Sequence, residues 1–294
     1  MRKLFHGISR MWGVAATNGV YSCGSEMAQV EGFSDAWMAV DGGRIVALGG
    51  DEGSYGDAGI GSRFSGLKAS DRNSILVSLA AEWSAELVDL GGVEVLPGLV
   101  DSHTHIVFAA PRHEEFEMRI KGESYEAIAA AGGGILNSAR KLQAMDEDLL
   151  YEQAAQRLRV MILHGTTAVE IKSGYGLTVD AELKMLRVIK RIKAHLDIPI
   201  KTTFLAAHAL PEEFRSNKQG FIQVVVDQWI PKVISEGLAD YIDLFCSVRD
   251  KHPHIHFHLL LMYAFVPVIS DQLKEKIQNN IITMIRSLYC LCKH

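Results

Sequence analysis

His103 and His105 stand one residue apart at the end of Pro97-Gly98-Leu99-Val100-Asp101-Ser102-His103-Thr104-His105, an apolar run that reads as a strand. Side chains on a strand alternate faces, so residues i and i+2 point the same way and two imidazoles here can grip one metal ion. Neutral imidazole is the commonest protein metal ligand near neutral pH. A pair is not a complete catalytic site, because zinc usually takes three protein ligands and a water. The plain alternative is a strand end with two partly exposed histidines.

The elements around this pair follow a strand–helix rhythm. Strands are expected over Leu99–Phe108, Thr166–Ile171, Ile200–Ala206 and Tyr241–Cys246, and helices over Ser124–Ala131, Asp146–His164, Val179–His195 and Phe221–Glu236. In the third helix Leu183, Leu186, Val188, Ile189 and Ile192 form an apolar face. Asp180 and Glu182 at its start, with Lys190, Arg191 and Lys193 at its end, suit the helix dipole. Alternating strands and helices predict an α/β fold with a parallel sheet, whose chemistry collects at the carboxyl ends of the strands. The histidine pair, Lys172 to Tyr175, and His208 all fall at or just past a strand's end. Ahead of them, Trp37–Leu48 reads as a hairpin around Asp41-Gly42-Gly43, Gly49 to about Ser74 as a loop, and Glu86–Leu96 as a strand.

Bulk properties narrow the function classes. The chain has 294 residues, 48% of them hydrophobic, enough for one large α/β domain or a barrel with a small companion. A net charge of −5 gives no electrostatic case for nucleic acid or anionic membranes as partners. No apolar run is long enough to span a bilayer; Ile255–Ile269 is broken by His256, His258 and Pro267. Cys23, Cys246, Cys290 and Cys292 form no disulfide framework, which favours a reducing, cytoplasmic setting, and the N-terminus lacks a secretory apolar core.

The Pro97–His105 segment resembles the first barrel strand of the metal-dependent amidohydrolases. Further segments resemble the imidazolonepropionase family within them: Glu126–Ile135 with its triple glycine, Val169-Glu-Ile-Lys-Ser-Gly-Tyr-Gly-Leu177, Glu182–Val188, Thr202–Pro211 and Gly237–Cys246. The resemblance covers roughly residues 37–246. It implies an incomplete (β/α)8 TIM-like barrel over residues 97–247, preceded by part of a small β-sandwich domain in residues 1–96. It further implies a hydrolase that opens the ring of 4-imidazolone-5-propanoate to N-formimidoyl-L-glutamate, with one zinc or iron ion as cofactor. His103 and His105 would be metal ligands, and Arg112, Tyr175 and His208 would bind the small-molecule substrate. A guanidinium suits an anionic ligand. The bland alternatives are a surface arginine, an aromatic ring packed beneath a loop, and a histidine hydrogen-bonded within its loop. Lys172 reads as a supporting residue, and Gly132-Gly133-Gly134, lacking a following Lys-Ser/Thr, as a glycine segment rather than a phosphate loop.

After about Ser247 the resemblance stops. The family's third metal histidine, its catalytic Glu or Gln and its late Asp have no counterpart, so no catalytic residue is identified, and residues 248–294 read as a divergent tail. His254, His256 and His258 alternate there, and Cys290, Cys292 and His294 cluster, but by composition only. Half a barrel leaves open edges. The expectation is therefore a chain that is poorly stable alone, or one that forms a homodimer or pairs with an intact subunit. The competing functional expectations are a catalytically dead truncated form and another cyclic-amide amidohydrolase.

Overall fold

The structure is a computed structural model and describes residues 1–13, 25, 28, 30–56, 69–124, 127–128, 133–247 and 256–262. The chain divides into two compact units, Met1–Pro97 and Gly98–His294.

In the first unit, strands β1 (Arg2–Trp12), β2 (Gly32–Asp41), β3 (Arg44–Gly50), β4 (Gly53–Gly56) and β5 (Glu86–Val95) form one sheet in the order β4-β3-β2-β1-β5. β1 runs antiparallel to β2 and parallel to β5. The expected hairpin is present: Asp41 pairs with Arg44, and Gly42 and Gly43 both take positive φ, as a two-residue turn of matching twist requires. Helix α1 (Ala69–Glu82) packs Leu76, Leu79 and Ala80 against Leu4, Trp37, Ala39 and Ala47. The described residues of this unit thus hold a sheet faced by a helix, where a sandwich would place a second sheet.

Two features depart from the sequence reading. Gly49–Ser74 is not loop throughout: β4 lies within it and α1 begins at Ala69, while residues 57–68 lie outside the described set. A four-residue edge strand is too short for a period to show, and α1 buries only a narrow stripe. Strand β1 escaped notice because a register shift between Phe5 and Ile8, at the positive-φ Gly7, interrupts its alternation.

The second unit is α/β. Strands β6 (Leu99–Thr104), β7 (Thr166–Lys172), β8 (Ile200–Ala207) and β9 (Tyr241–Ser247) are parallel neighbours, and β10 (His256–Met262) pairs antiparallel with β9. Helices α2 (His113–Ile120), α3 (Ile135–Ala144) and α4 (Glu147–Leu163) follow β6, α5 (Val179–His195) follows β7, and α6 (Lys218–Val224) and α7 (Ile230–Glu236) follow β8. Asp146 caps α4 by accepting from the N–H groups of Asp148 and Leu149 at 2.8 and 3.2 Å. The core packs Leu150, Ala154 and Leu158 of α4 with Met185, Leu186 and Ile189 of α5, beneath Val169, Ile171 and Phe204.

The expected strand Leu99–Phe108 ends at Thr104. The carbonyls of Ile106 and Phe108 instead accept from the Arg157 guanidinium at 3.0 and 2.9 Å, which takes them out of any ladder. The expected helix over residues 221–236 is α6 and α7 joined by a π-helical turn, Val225–Trp229, just ahead of Pro231. Proline lacks the N–H that a regular turn would use there. The helix expected over residues 124–131 lies largely outside the described residues, as do His254 and Cys23, Cys290, Cys292 and His294. Residues 256–262 of the divergent tail form β10. Among the described residues no helix is long and apolar enough to cross a membrane.

Candidate functional site

Three parallel strands end at one place. His105 follows β6, Tyr175 follows β7 and His208 follows β8. The His103 and His105 rings lie 5.4 Å apart, so the two imidazoles do converge despite the register shift between Asp101 and Thr104. Thr104, between them, is buried and its hydroxyl donates to the Glu170 carbonyl at 2.7 Å, pinning the strand end to β7. His208 stacks on His105 at 5.0 Å with ring planes 7° apart. Tyr175 stands edge-on to both, 5.2 Å from His105 and 5.1 Å from His208, and also packs against the unit's core.

The environment of His105 suits a ligand more than a base. Burial, then the neighbouring His208, His103 and Lys172, push its proton affinity down to a pKa of about 3. Its Nδ1 is buried without a hydrogen-bond partner. A neutral imidazole with an unsatisfied buried nitrogen beside a second imidazole fits a metal ion. The fit is partial. Among the described residues no group of three or more His, Cys, Asp or Glu side chains is arranged to hold a metal.

The structure does not bring Arg112 to this cluster. Arg112 is exposed and lines a cavity with Pro111, Met118, Ile128, Asn137 and Lys141, which none of the four rings lines. Its Nε donates to Glu115 Oε2 at 2.9 Å.

Two groups near the site went unassigned or unexplained in the sequence. Lys172 is buried and bridges Glu170 at 2.7 Å and Asp243 at 3.0 Å, and the Thr203 hydroxyl also donates to Glu170. Glu170 and Lys172 alternate with Val169 and Ile171 on a buried strand, which is a visible signal for an interior ion pair. Glu182, read above as a dipole-complementing residue, is buried. It occupies the apolar stripe of α5, in line with Met185, Leu186 and Ile189, and a charge on that stripe was the sign that it has an interior partner.

No protein-family model matches the chain. Curated relatives do. An imidazolonepropionase of Christiangramia forsetii is 40% identical over 257 residues, covering 86% of this chain and 56% of that protein. One of Flavobacterium psychrophilum is 54% identical over 160 residues, covering 54% of this chain and 39% of that protein. One of Shewanella oneidensis is 48% identical over 153 residues, with coverages of 52% and 38%. Solved structures similar to this chain include E. coli guanine deaminase, at 12% identity and a TM-score of 0.45 over 80% of this chain and 43% of that one. A triazine hydrolase aligns at 17% identity and a TM-score of 0.41, over 80% of this chain and 42% of that one. The chain spans about half, or less, of the length of the curated relatives it matches. Across the residues they share, it is a homologue of the imidazolonepropionases.

Proposed function

We propose that this chain carries the metal-gripping and ring-binding part of an imidazolonepropionase-type hydrolase. The reaction opens 4-imidazolone-5-propanoate to N-formimidoyl-L-glutamate by adding one water across a ring C–N bond. The observation that carries this reading is the meeting of His103, His105, Tyr175 and His208 at the carboxyl ends of three parallel strands. In it, the second unit is the opening part of an amidohydrolase (β/α)8 barrel over residues 97–247, and residues 1–96 are part of its small β domain.

His103 and His105 would hold one zinc or iron ion. When bound, such an ion supplies Lewis acidity for attack on a cyclic amide. Tyr175 and His208 orient the substrate ring, whose flat π-system matches the edge-on and stacked rings already there. Arg112 lies away from the rings in this arrangement, and its proposed fork to the propanoate carboxylate requires its loop to move toward them as well as release from Glu115. The remaining metal ligands and the proton-transferring carboxylate, which the matched residues lack, come from an intact subunit paired with this chain, and the protein works in the cytoplasm.

The test is to purify the chain with zinc or ferrous iron and measure bound metal, alongside loss of the imidazolone absorbance. Stoichiometric metal that disappears in His105→Ala supports the reading. Metal retained in both His103→Ala and His105→Ala overturns it. Turnover no higher than that of His103→Ala would reduce the chain to a binding fragment.

A further inference from the structure

Glu182 lies on the first turn of α5 with 1% of its surface exposed. Its Oε2 accepts from the Gly174 N–H at 2.9 Å, and its Oε1 from the N–H groups of Gly176 and Leu177 at 2.7 and 3.1 Å. Burial pushes this carboxyl upward, and the Ser173 hydroxyl together with the three N–H donors pulls against that. A buried carboxylate is costly unless it is met by donors in this way. One side chain therefore collects the N–H groups of Gly174, Gly176 and Leu177 in the turn Ser173–Leu177. The turn has further ties: the Ser173 N–H donates to the Thr203 carbonyl at 2.9 Å, the Ser173 hydroxyl accepts from the Leu205 N–H at 3.0 Å, and Gln143 Nε2 donates to the Gly176 carbonyl at 2.7 Å. The fit is close, since a Cβ on Gly176 would stand 2.9 Å from Glu182 Oε1 and 2.5 Å from its backbone nitrogen.

Besides the Ser173 backbone, which hydrogen-bonds His105, this turn presents two groups to the ring cluster. One is the Tyr175 side chain. The other is the Gly174 carbonyl, which lies 3.1 Å from His208 Nδ1. A carbonyl can only accept, so in the neutral ring Nδ1 carries the proton and Nε2 is the acceptor. The tautomer of His208 is thus set by where Gly174 sits, and Gly174 sits where Glu182 holds it.

We propose that Glu182 is a positioning residue for the ring-binding site: by gathering the Ser173–Leu177 backbone it fixes the His208 tautomer through the Gly174 carbonyl and holds Tyr175 edge-on to His105 and His208. The proposal rests on the reading of Tyr175 and His208 as substrate-contacting groups, and its test separates the two.

The test uses the full chain labelled with ¹⁵N. Long-range ¹H–¹⁵N spectra report the His208 tautomer, and calorimetry with imidazole-4-propanoate reports binding. Wild type is expected to show the Nδ1–H form. Glu182→Gln has nearly the same shape, but one of its two acceptor oxygens becomes a donor that faces N–H groups. It is expected to give mixed tautomers and to weaken probe binding by about tenfold or more, the scale found when outer partners of site residues are removed. Glu182→Gln that folds, keeps the Nδ1–H form and binds the probe as wild type does would overturn the proposal. If Glu182→Gln does not fold, Glu182→Asp decides, since it keeps the charge but draws the carboxylate back from the three N–H groups by one methylene: a shifted tautomer supports the proposal and an unchanged one overturns it. A wild-type chain that does not bind the probe sinks the substrate reading, and the tautomer spectra still decide whether Glu182 positions the turn.

Discussion

Glu115 shows how a single side chain can serve two neighbours. Its Oε2 accepts from Arg112 and its Oε1 from the Gly134 N–H at 3.0 Å, ahead of α3. The Arg112 hydrogen bond holds its carboxyl below the usual carboxylate range, with burial opposing and the Gly134 N–H assisting. The folded state therefore keeps this carboxyl ionised to lower pH than the unfolded chain does. Its contribution is complete above the unfolded value and is lost as pH falls through the lowered folded one. Arg112 is over one-third exposed, so the pair contributes only about 0.5–1 kcal/mol after solvent screening. Urea unfolding of Glu115→Gln should fall short of wild type by that amount at pH 7, and the two curves should converge in acid. The histidine pair was legible because a period of two is written directly in the chain. Arg112 was legible only as a type of residue: nothing in its spacing said that Glu115, three residues on, would take it first.

The longest elements were the easiest to read. Helix α5 spans the expected Val179–His195, and α4 differs from expectation by one residue at each end, where Asp146 caps. Their apolar stripes are continuous over several turns, so periodicity outweighs local noise. Short α2 and α3 gave no such signal, and α3 depends on an outside group to finish it. Lys184, from α5, donates Nζ to the carbonyls of Leu142, Gln143 and Met145 at 2.8, 3.0 and 2.7 Å. One ammonium thus serves three carbonyls at and just past the end of α3, where helical N–H donors run out. Lys184→Met should lower stability by about 1–3 kcal/mol, the cost of leaving such acceptors unpaired, and a thermal melt would register it. Asp146→Ala should cost about 0.5–2 kcal/mol through its lost cap, read in the same melt.

For the whole molecule, the rim of the second unit's sheet sets the behaviour. Among the described strands β6 is an edge, and it carries Leu99 and Val100 at 64% and 66% exposure. An apolar strand edge invites pairing with another chain. Sedimentation velocity on wild type is expected to show concentration-dependent association, and Val100→Lys should shift it towards monomer; equal profiles would exclude β6 as the contact. The parallel order of β6 to β9 was readable from the alternation of strands and helices. The antiparallel β10 was not, because strand direction depends on the loop that precedes it and no periodic signal encodes it.

That reversed strand has a kinetic corollary. β10 occupies the side of β9 where the next strand of a parallel winding would dock, with every residue from His256 to Met262 in register against Tyr241 to Ser247. A complementary fragment added in solution could extend the sheet there only after peeling the occupant away. Reconstitution at that flank should therefore show a rate that saturates at high fragment concentration, limited by departure of the resident strand, whereas pairing at the opposite flank would stay second order.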